Sequence, residues 1–581
     1  MKAMIGQSHF LCTPAMPSSP AALDNLAHRQ SAEERPRKCG AEKNSTTTLW
    51  SSGIGRPRFC ISGPASCNPE AERLGQRQRK GYTRMKYQRV LLLLVCLGML
   101  SASAALAEVR LDSIYADHMV LQRNLPVTVR GSADAGETVS VTFLGETRQA
   151  IAGKFGRWEV VLPPGTAGGP FDILVRGSNT IRLSDVLVGD VWVASGQSNM
   201  EFTTRGVLNA AAELKDANQP NIRLFHVKVS TSPYPLDDVS ARSWVACSPE
   251  TVLDFSAVAF FFGKEIEADQ KVPIGLIESD WGGTSAEAWT STRAVSADAS
   301  LMPVFASWAL RMEDESRLIP QKEYENREMA LAKAQGKPQP VFTDRVDVVS
   351  RVTPGGLYNA MIAPMTHFPI RGVIWYQGEN NASVEQAPVY AHLFQALIQD
   401  WRRKWGEGNF PFLFVQLPNF KSGSGDGWPE LREAQRQALV LRNTGMAVTI
   451  DIGDSATVHP RDKQDVGHRL ALVARGVAYG EPIEYSGPLF RMQSQQGHAI
   501  RIWFDHSNGL VAKGGVLKGF EIAGADKKFL PADAQIDGKN VVVSNMDIAD
   551  PVFVRFSWSD NPDGNLYNEA GLPASPFQSR K

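Results

Sequence analysis

The middle of the chain alternates unbroken apolar runs with longer stretches of helical periodicity. Val191–Ser195 is one such run, and others lie at 222–227, 274–278, 372–376, 411–416 and 446–451. Helical patterns fall between and after them, at 255–268, 388–405, 430–442 and 461–479. Strands that read as continuous apolar runs are buried on both faces. Their alternation with helices predicts an α/β segment over 185–481, a mainly parallel sheet sandwiched by helices. The charged, helix-prone stretch 313–337 breaks that rhythm and reads as a surface insertion.

Both flanks have a different texture. Over 108–184 short alternating runs, such as Thr138–Phe143 and Arg157–Leu162, are separated by Gly, Pro and Asp. Over 482–581 the alternation returns in Ala499–Phe504, Val541–Ser544 and Val552–Trp558. Period-2 runs bounded by turn residues predict β-sandwich-like modules at both ends.

Residues 1–84 are rich in Ser, Pro, Arg and Gly, without periodicity, and read as an N-terminal extension outside the folded protein. Residues 85–107 combine a basic start, an apolar core (Val90–Leu100) and the ending Ala105-Leu106-Ala107. That is the pattern of a cleaved secretory signal. The core is shorter than the ~20 residues a bilayer span needs. The expectation is translation from Met85, cleavage after Ala107, a periplasmic or secreted location and no membrane anchor. The cysteines agree: of the 6, only Cys247 lies beyond the cleavage site. A lone Cys forms no internal disulfide, and its apolar neighbours predict a buried thiol.

The charge balance, 61 basic against 61 acidic residues, lacks the basic excess that nucleic-acid binding requires. The histidines outside the motifs show no metal-ligand spacing. The 13 Trp include Trp281, Trp289 and Trp375 near strand ends, where indole faces can stack on sugar rings.

Candidate chemistry sits just past the strand ends, where sites assemble in open α/β sheets. Gly196-Gln197-Ser198-Asn199-Met200 follows the run Val191–Ser195. A Ser on a tight turn there stands exposed as a nucleophile, provided a base reaches it. Val458-His459-Pro460, ahead of the last helical pattern, offers one. Glu278-Ser279-Asp280-Trp281-Gly282-Gly283-Thr284 and Trp375-Tyr376-Gln377-Gly378-Glu379-Asn380 end two further strands. Asp454, Asp451 and Glu379 are the carboxylates that could orient the imidazole, with Asp454 ranked first; a Ser–His dyad aided by a backbone carbonyl is the alternative. Asp190, Asp462 and Asp465 read as structural.

Gly-Gln-Ser-Asn-Met, Trp-Gly-Gly-Thr, Trp-Tyr-Gln-Gly-Glu and His-Pro-x-x-Lys, in this order, resemble the sialate O-acetylesterase family of SGNH-type hydrolases. So does the upstream Ala116–Arg123. The resemblance implies a serine esterase that removes O-acetyl groups from sugars, with O-acetylated sialic acid the expected substrate and no cofactor or metal. Acetylxylan is the alternative substrate, and a non-catalytic carbohydrate-binding protein the alternative class. It implies Ser198 as nucleophile, His459 as base, and an oxyanion hole from the Ser198 N–H, a backbone N–H at Gly283 or Gly282, and the Gln377 side chain. Many SGNH enzymes place an Asp three residues before the His; here Ala456 stands there. Arg205 and Arg461 are the candidates for reading a substrate carboxylate.

Overall fold

The structure, a computed structural model, describes residues 108–313, 315–337, 350–422 and 427–580. The extension and the signal segment expected over 1–107 lie outside them. The central sheet is built from β1 (Thr180–Gly196), β2 (Gln219–His226), β3 (Ile274–Asp280), β4 (Gly372–Tyr376), β5 (Phe412–Val415) and β6 (Thr444–Ala447). They lie in the order β2-β3-β1-β4-β5-β6, and every neighbouring pair is parallel. Val245–Cys247 adds an antiparallel edge next to β2. All residues of β3 and β4 are buried, as unbroken apolar runs demand when helices cover both faces. The chain leaves β1 for β2 and β3 on one side and returns for β4 to β6 on the other. The carboxyl end of β1 is therefore the switch point, where a crevice opens.

The helices that matter for the site are α1 (Ser198–Glu201), α2 (Ala257–Gln270), α3 (Ala387–Trp405), α4 (Trp428–Gln437) and α5 (Gln464–Val477). The Ser256 hydroxyl caps α2 by accepting the Ala259 N–H at 3.2 Å, and donates to the Met200 carbonyl at 2.6 Å, tying α2 to α1. The apolar stripe of α3 buries Tyr390, Phe394, Leu397 and Trp401 against β4 and β5. Trp375 and Trp401 meet edge to face with centroids 5.9 Å apart. Truncating a buried Trp like Trp401 costs ~3–5 kcal/mol. Gly406, at φ 73°, ends α3 in the left-handed conformation. The helix-prone stretch 313–337 contains the helix Glu315–Ala334, and Met302–Glu313 is a further helix ahead of it. No helix of the described residues is long and apolar enough to cross a membrane.

The amino-terminal strands do not form a detached module. Gly168–Arg176 pairs antiparallel with the first half of β1. The same strand β1 then continues into the parallel sheet, so the expected boundary at 184/185 falls inside one strand. Val139, Val141, Ile173 and Val175 belong to one apolar cluster with the central sheet. The carboxyl-terminal strands have a core of their own, including Ile500, Ile502, Phe520, Ile522, Val541 and Phe577. They dock through Arg432 of α4, fully buried, which donates to the carbonyls of Leu417, Pro418, Ser559 and Asp560. Burial pushes the Arg432 guanidinium down to about 9.

Candidate active site

Ser198 is the first residue of α1, one turn beyond β1. Gly196 makes that turn possible. Its φ is 141°, and a Cβ there would lie 2.1 Å from the Tyr376 carbonyl oxygen, so no other residue fits. The Tyr376 carbonyl instead accepts the Gln197 N–H at 3.0 Å, and the Gly196 carbonyl accepts the Trp281 N–H at 3.2 Å. Gln197 Oε1 accepts the N–H groups of Gly378 at 3.4 Å and Asn380 at 3.3 Å. The ends of β1, β3 and β4 are thus stitched together around one hydroxyl. Among the described residues no protein acceptor takes the backbone N–H of Ser198 or of Gly283. Ser198 opens a helix, whose first N–H groups have no intrahelical partner, and Gly283 lies in the turn after β3; both donors are available to a ligand.

His459 reaches the same point from the loop between β6 and α5. Its Nε2 lies 2.8 Å from Ser198 Oγ. Burial, then the nearby positive charge of Lys463, lowers the imidazole pKa below its ordinary value. The ring is therefore neutral at pH 7 and able to accept a proton.

A buried polar chain holds the loop. Asn199 Nδ2 donates to the Val458 carbonyl at 2.9 Å and to Glu379 Oε1 at 2.5 Å. Lys463 Nζ donates to Asn199 Oδ1 at 2.6 Å and to the Pro460 carbonyl at 2.7 Å. The residues on either side of His459 are thus pinned by groups that do not touch the imidazole. Burial pushes Lys463 down to about 7, with Glu379 opposing that shift. Burial likewise raises Glu379, against its hydrogen bond from Asn199 and the charge of Lys463.

Several expected contacts are not made. Asp454 is exposed, and its carboxylate accepts the Ala456 N–H at 2.8 Å, within its own loop. Asp451 is bound by Arg469 at 2.5 and 2.9 Å. Among the described residues no carboxylate pairs with His459. Gln377 is fully buried and its amide is spent. Nε2 donates to the Thr284 carbonyl and to Asn381 Oδ1, while Oε1 accepts the Tyr390 hydroxyl at 2.9 Å. It has no donor left for an oxyanion. The Gly282 N–H is taken by Glu201 Oε2 at 2.6 Å, which leaves Gly283 as the unengaged donor of the pair.

Other expectations resolve more simply. Asp190 sits in a network with Gln122, Arg123 and Tyr479, and Asp462 accepts the Asp465 N–H at the start of α5. Trp289, Trp375 and Tyr376 are core residues with no exposed face. Cys247 is buried, its thiol pushed up to about 12 by desolvation. Asn199, Asn380 and Arg351 lie beside the expected site residues, bonded to Glu379, bonded to Gln197 and next to Gly283 respectively, and escaped the sequence reading. Asn199 and Asn380 carry a signal in hindsight: amides inside the two motifs, adjacent to the residues that were chosen.

Residues 348–474 match the family described as SASA, carbohydrate esterase, sialic acid-specific acetylesterase. The sialate O-acetylesterase of Rattus norvegicus is 32% identical over 542 residues, covering 84% of this chain and 97% of the relative. That of Homo sapiens is 31% identical over 519 residues, covering 81% and 92%. The chain belongs to the sialate O-acetylesterase family. A crystal structure described as a novel carbohydrate acetylesterase from Xanthomonas citri shares 38% identity and a TM-score of 0.71, covering 82% of this chain and all of that one. As a family member the protein is a carboxylic ester hydrolase of SGNH-type α/β fold, a carbohydrate esterase that removes O-acetyl groups from sugars.

Proposed function

We propose that the protein is a sialate O-acetylesterase working through a Ser198–His459 dyad. The observation that carries the mechanism is the 2.8 Å contact between Ser198 Oγ and His459 Nε2 at the switch point of the sheet. His459 takes the hydroxyl proton as Ser198 attacks the acetyl carbonyl. The resulting oxyanion is met by the N–H groups of Ser198 and Gly283. Collapse expels the sugar alcohol, protonated by His459, and leaves an acetyl-serine. His459 then deprotonates a water that releases acetate. We assign the third oxyanion donor to the side chain of Asn380, whose backbone is tethered to Gln197 beside the nucleophile. Among the described residues the dyad has no carboxylate partner; Asn199 and Lys463 hold the imidazole in place through the backbone on either side of it.

Sialate as the sugar is supported by the names of the relatives that align over most of this chain. Export is supported by the signal-like segment 85–107. Acetate release from 9-O-acetyl-N-acetylneuraminate and from acetylated xylo-oligosaccharides tests the substrate. The expected result is a kcat/KM at least tenfold higher on the sialate; the reverse preference refutes it.

A further inference from the structure

A sialic acid differs from a neutral acetylated sugar by its carboxylate, so an enzyme that selects it needs a cation at a fixed distance from the nucleophile. The arginines proposed from sequence are committed elsewhere. Arg205 forms an ion pair with Asp254. Arg461 donates to the carbonyls of Gly206 and Val207 at 2.8 and 3.0 Å. Arg469 is held by Asp451, and Arg432 by four carbonyls.

Arg351 is different. Its guanidinium lies over the indole of Trp281, 5.0 Å from the ring centroid. No carboxylate or carbonyl among the described residues accepts from it, and its Nε is buried without a partner. Its backbone is fixed, because its carbonyl accepts the Ser285 N–H at 3.2 Å. Its position relative to Ser198 follows from the two glycines between them. A Cβ on Gly282 would lie 3.2 Å from Ser198 Cβ, and one on Gly283 would lie 3.4 Å from Arg351 Nη1. The glycines are one Cα step of about 3.8 Å apart, so the guanidinium stands no further than on the order of 10 Å from the nucleophile. That is the scale of one nine-carbon sugar acid. The contact with the Trp281 indole engages no N–H of the guanidinium in a hydrogen bond to a carboxylate or carbonyl among the described residues, and a planar fork of N–H groups binds a carboxylate bidentately. Glu201, hydrogen-bonded to the Gly282 N–H, places negative charge beside Ser198. It repels a substrate carboxylate from the reacting end, toward Arg351.

We infer that Arg351 is the carboxylate-binding residue of this site, holding the C1 carboxylate of an O-acetylated sialic acid while Ser198 attacks its ester. This rests on the sialate reading above and adds the group that enforces it. The test compares acetate release from 9-O-acetyl-N-acetylneuraminic acid and from its C1 methyl ester, which keeps the acetyl group and removes the charge. The wild-type enzyme is expected to prefer the acid by roughly 10- to 100-fold in kcat/KM, mostly through KM, as a charge-assisted pair implies. Arg351→Gln should bring the ratio close to one. Arg351→Lys, which keeps the charge and loses the fork, should fall between. If the Gln variant does not fold, as judged by its melting curve, the Lys variant decides: a wild-type ratio in it overturns the assignment. A ratio that survives Arg351→Gln, or a wild-type enzyme indifferent to the methyl ester, also overturns it while leaving the sialate reading intact. A wild-type enzyme that deacetylates xylo-oligosaccharides and neither sialate overturns both.

Discussion

Lys463 Nζ donates to Asn199 Oδ1 at 2.6 Å, and through that bond a residue of the loop entering α5 is locked to the residue next to the nucleophile. Asn199 is the hub, since its amide also holds Val458 and Glu379. Asn199→Ala leaves Lys463, Glu379 and the Val458 carbonyl each one partner short in a buried place. The expected cost is about 1–3 kcal/mol of stability and a fall in kcat on the order of 100-fold, since small misplacements of a catalytic group have that effect. Thermal unfolding and steady-state kinetics on the purified variant check both.

Asp454→Asn should leave kcat within a fewfold of wild type. Its carboxylate is exposed and bonded to its own loop, whereas removing the charge of a true triad acid lowers turnover by roughly ten-thousandfold. Glu379→Gln should cost about tenfold at most, because a Gln carbonyl can still accept from Asn199. A loss above a thousandfold at either position contradicts the dyad.

Gln377 and Asn380 should separate cleanly. Asn380→Ala is expected to lower kcat by about 100-fold with little change in KM, the signature of a donor engaged mainly in the transition state. Gln377→Ala should instead lower the melting temperature, by removing a buried amide with satisfied hydrogen bonds. The two measurements together decide which residue faces the reacting carbonyl.

The pH profile tests the charge next to the base. Activity requires neutral His459, so kcat/KM should fall on the acid side, through a pKa lower than that of an ordinary imidazole. Lys463 contributes to that lowering by disfavouring a second positive charge. Lys463→Met removes the charge, so the His459 pKa should rise and the acid limb should move to higher pH, whatever the absolute activity. A limb that stays in place or moves lower contradicts this electrostatic account.

The strands, the helices and the Ser–His pair were legible because each rests on local pattern. Apolar runs mark buried strands, and Gly-Gln-Ser-Asn and His-Pro mark the turns that end or follow them. The partners of those turns were not legible. Gln377 and Asn380 are three positions apart in one loop, and it is partners distant in sequence, the Tyr390 hydroxyl from α3 and the Thr284 carbonyl, that show Gln377 faces the core. Asp454 is near His459 in sequence, yet its loop folds back on Ala456. Asn199, next to Ser198, ties Glu379 to the His459 loop. The break expected at 184/185 was misplaced for a related reason. Strand β1 runs through it, its burial passing from alternating to continuous at Val186, so the local change of pattern marks where one strand changes sheet neighbourhood and not where a strand ends.

The central claim is that Ser198 forms an acetyl-enzyme with the help of His459. The most direct measurement is acetate release by Ser198→Ala, together with labelling of the wild-type protein by a serine-directed organophosphate and mass mapping of the adduct. Loss of the nucleophile in a serine hydrolase costs on the order of a millionfold in turnover. The account predicts activity at background in Ser198→Ala, an unchanged melting curve, and an adduct on Ser198 alone. Activity above a few per cent of wild type in a folded Ser198→Ala protein, or an adduct on another serine with Ser198 unmodified, would contradict it.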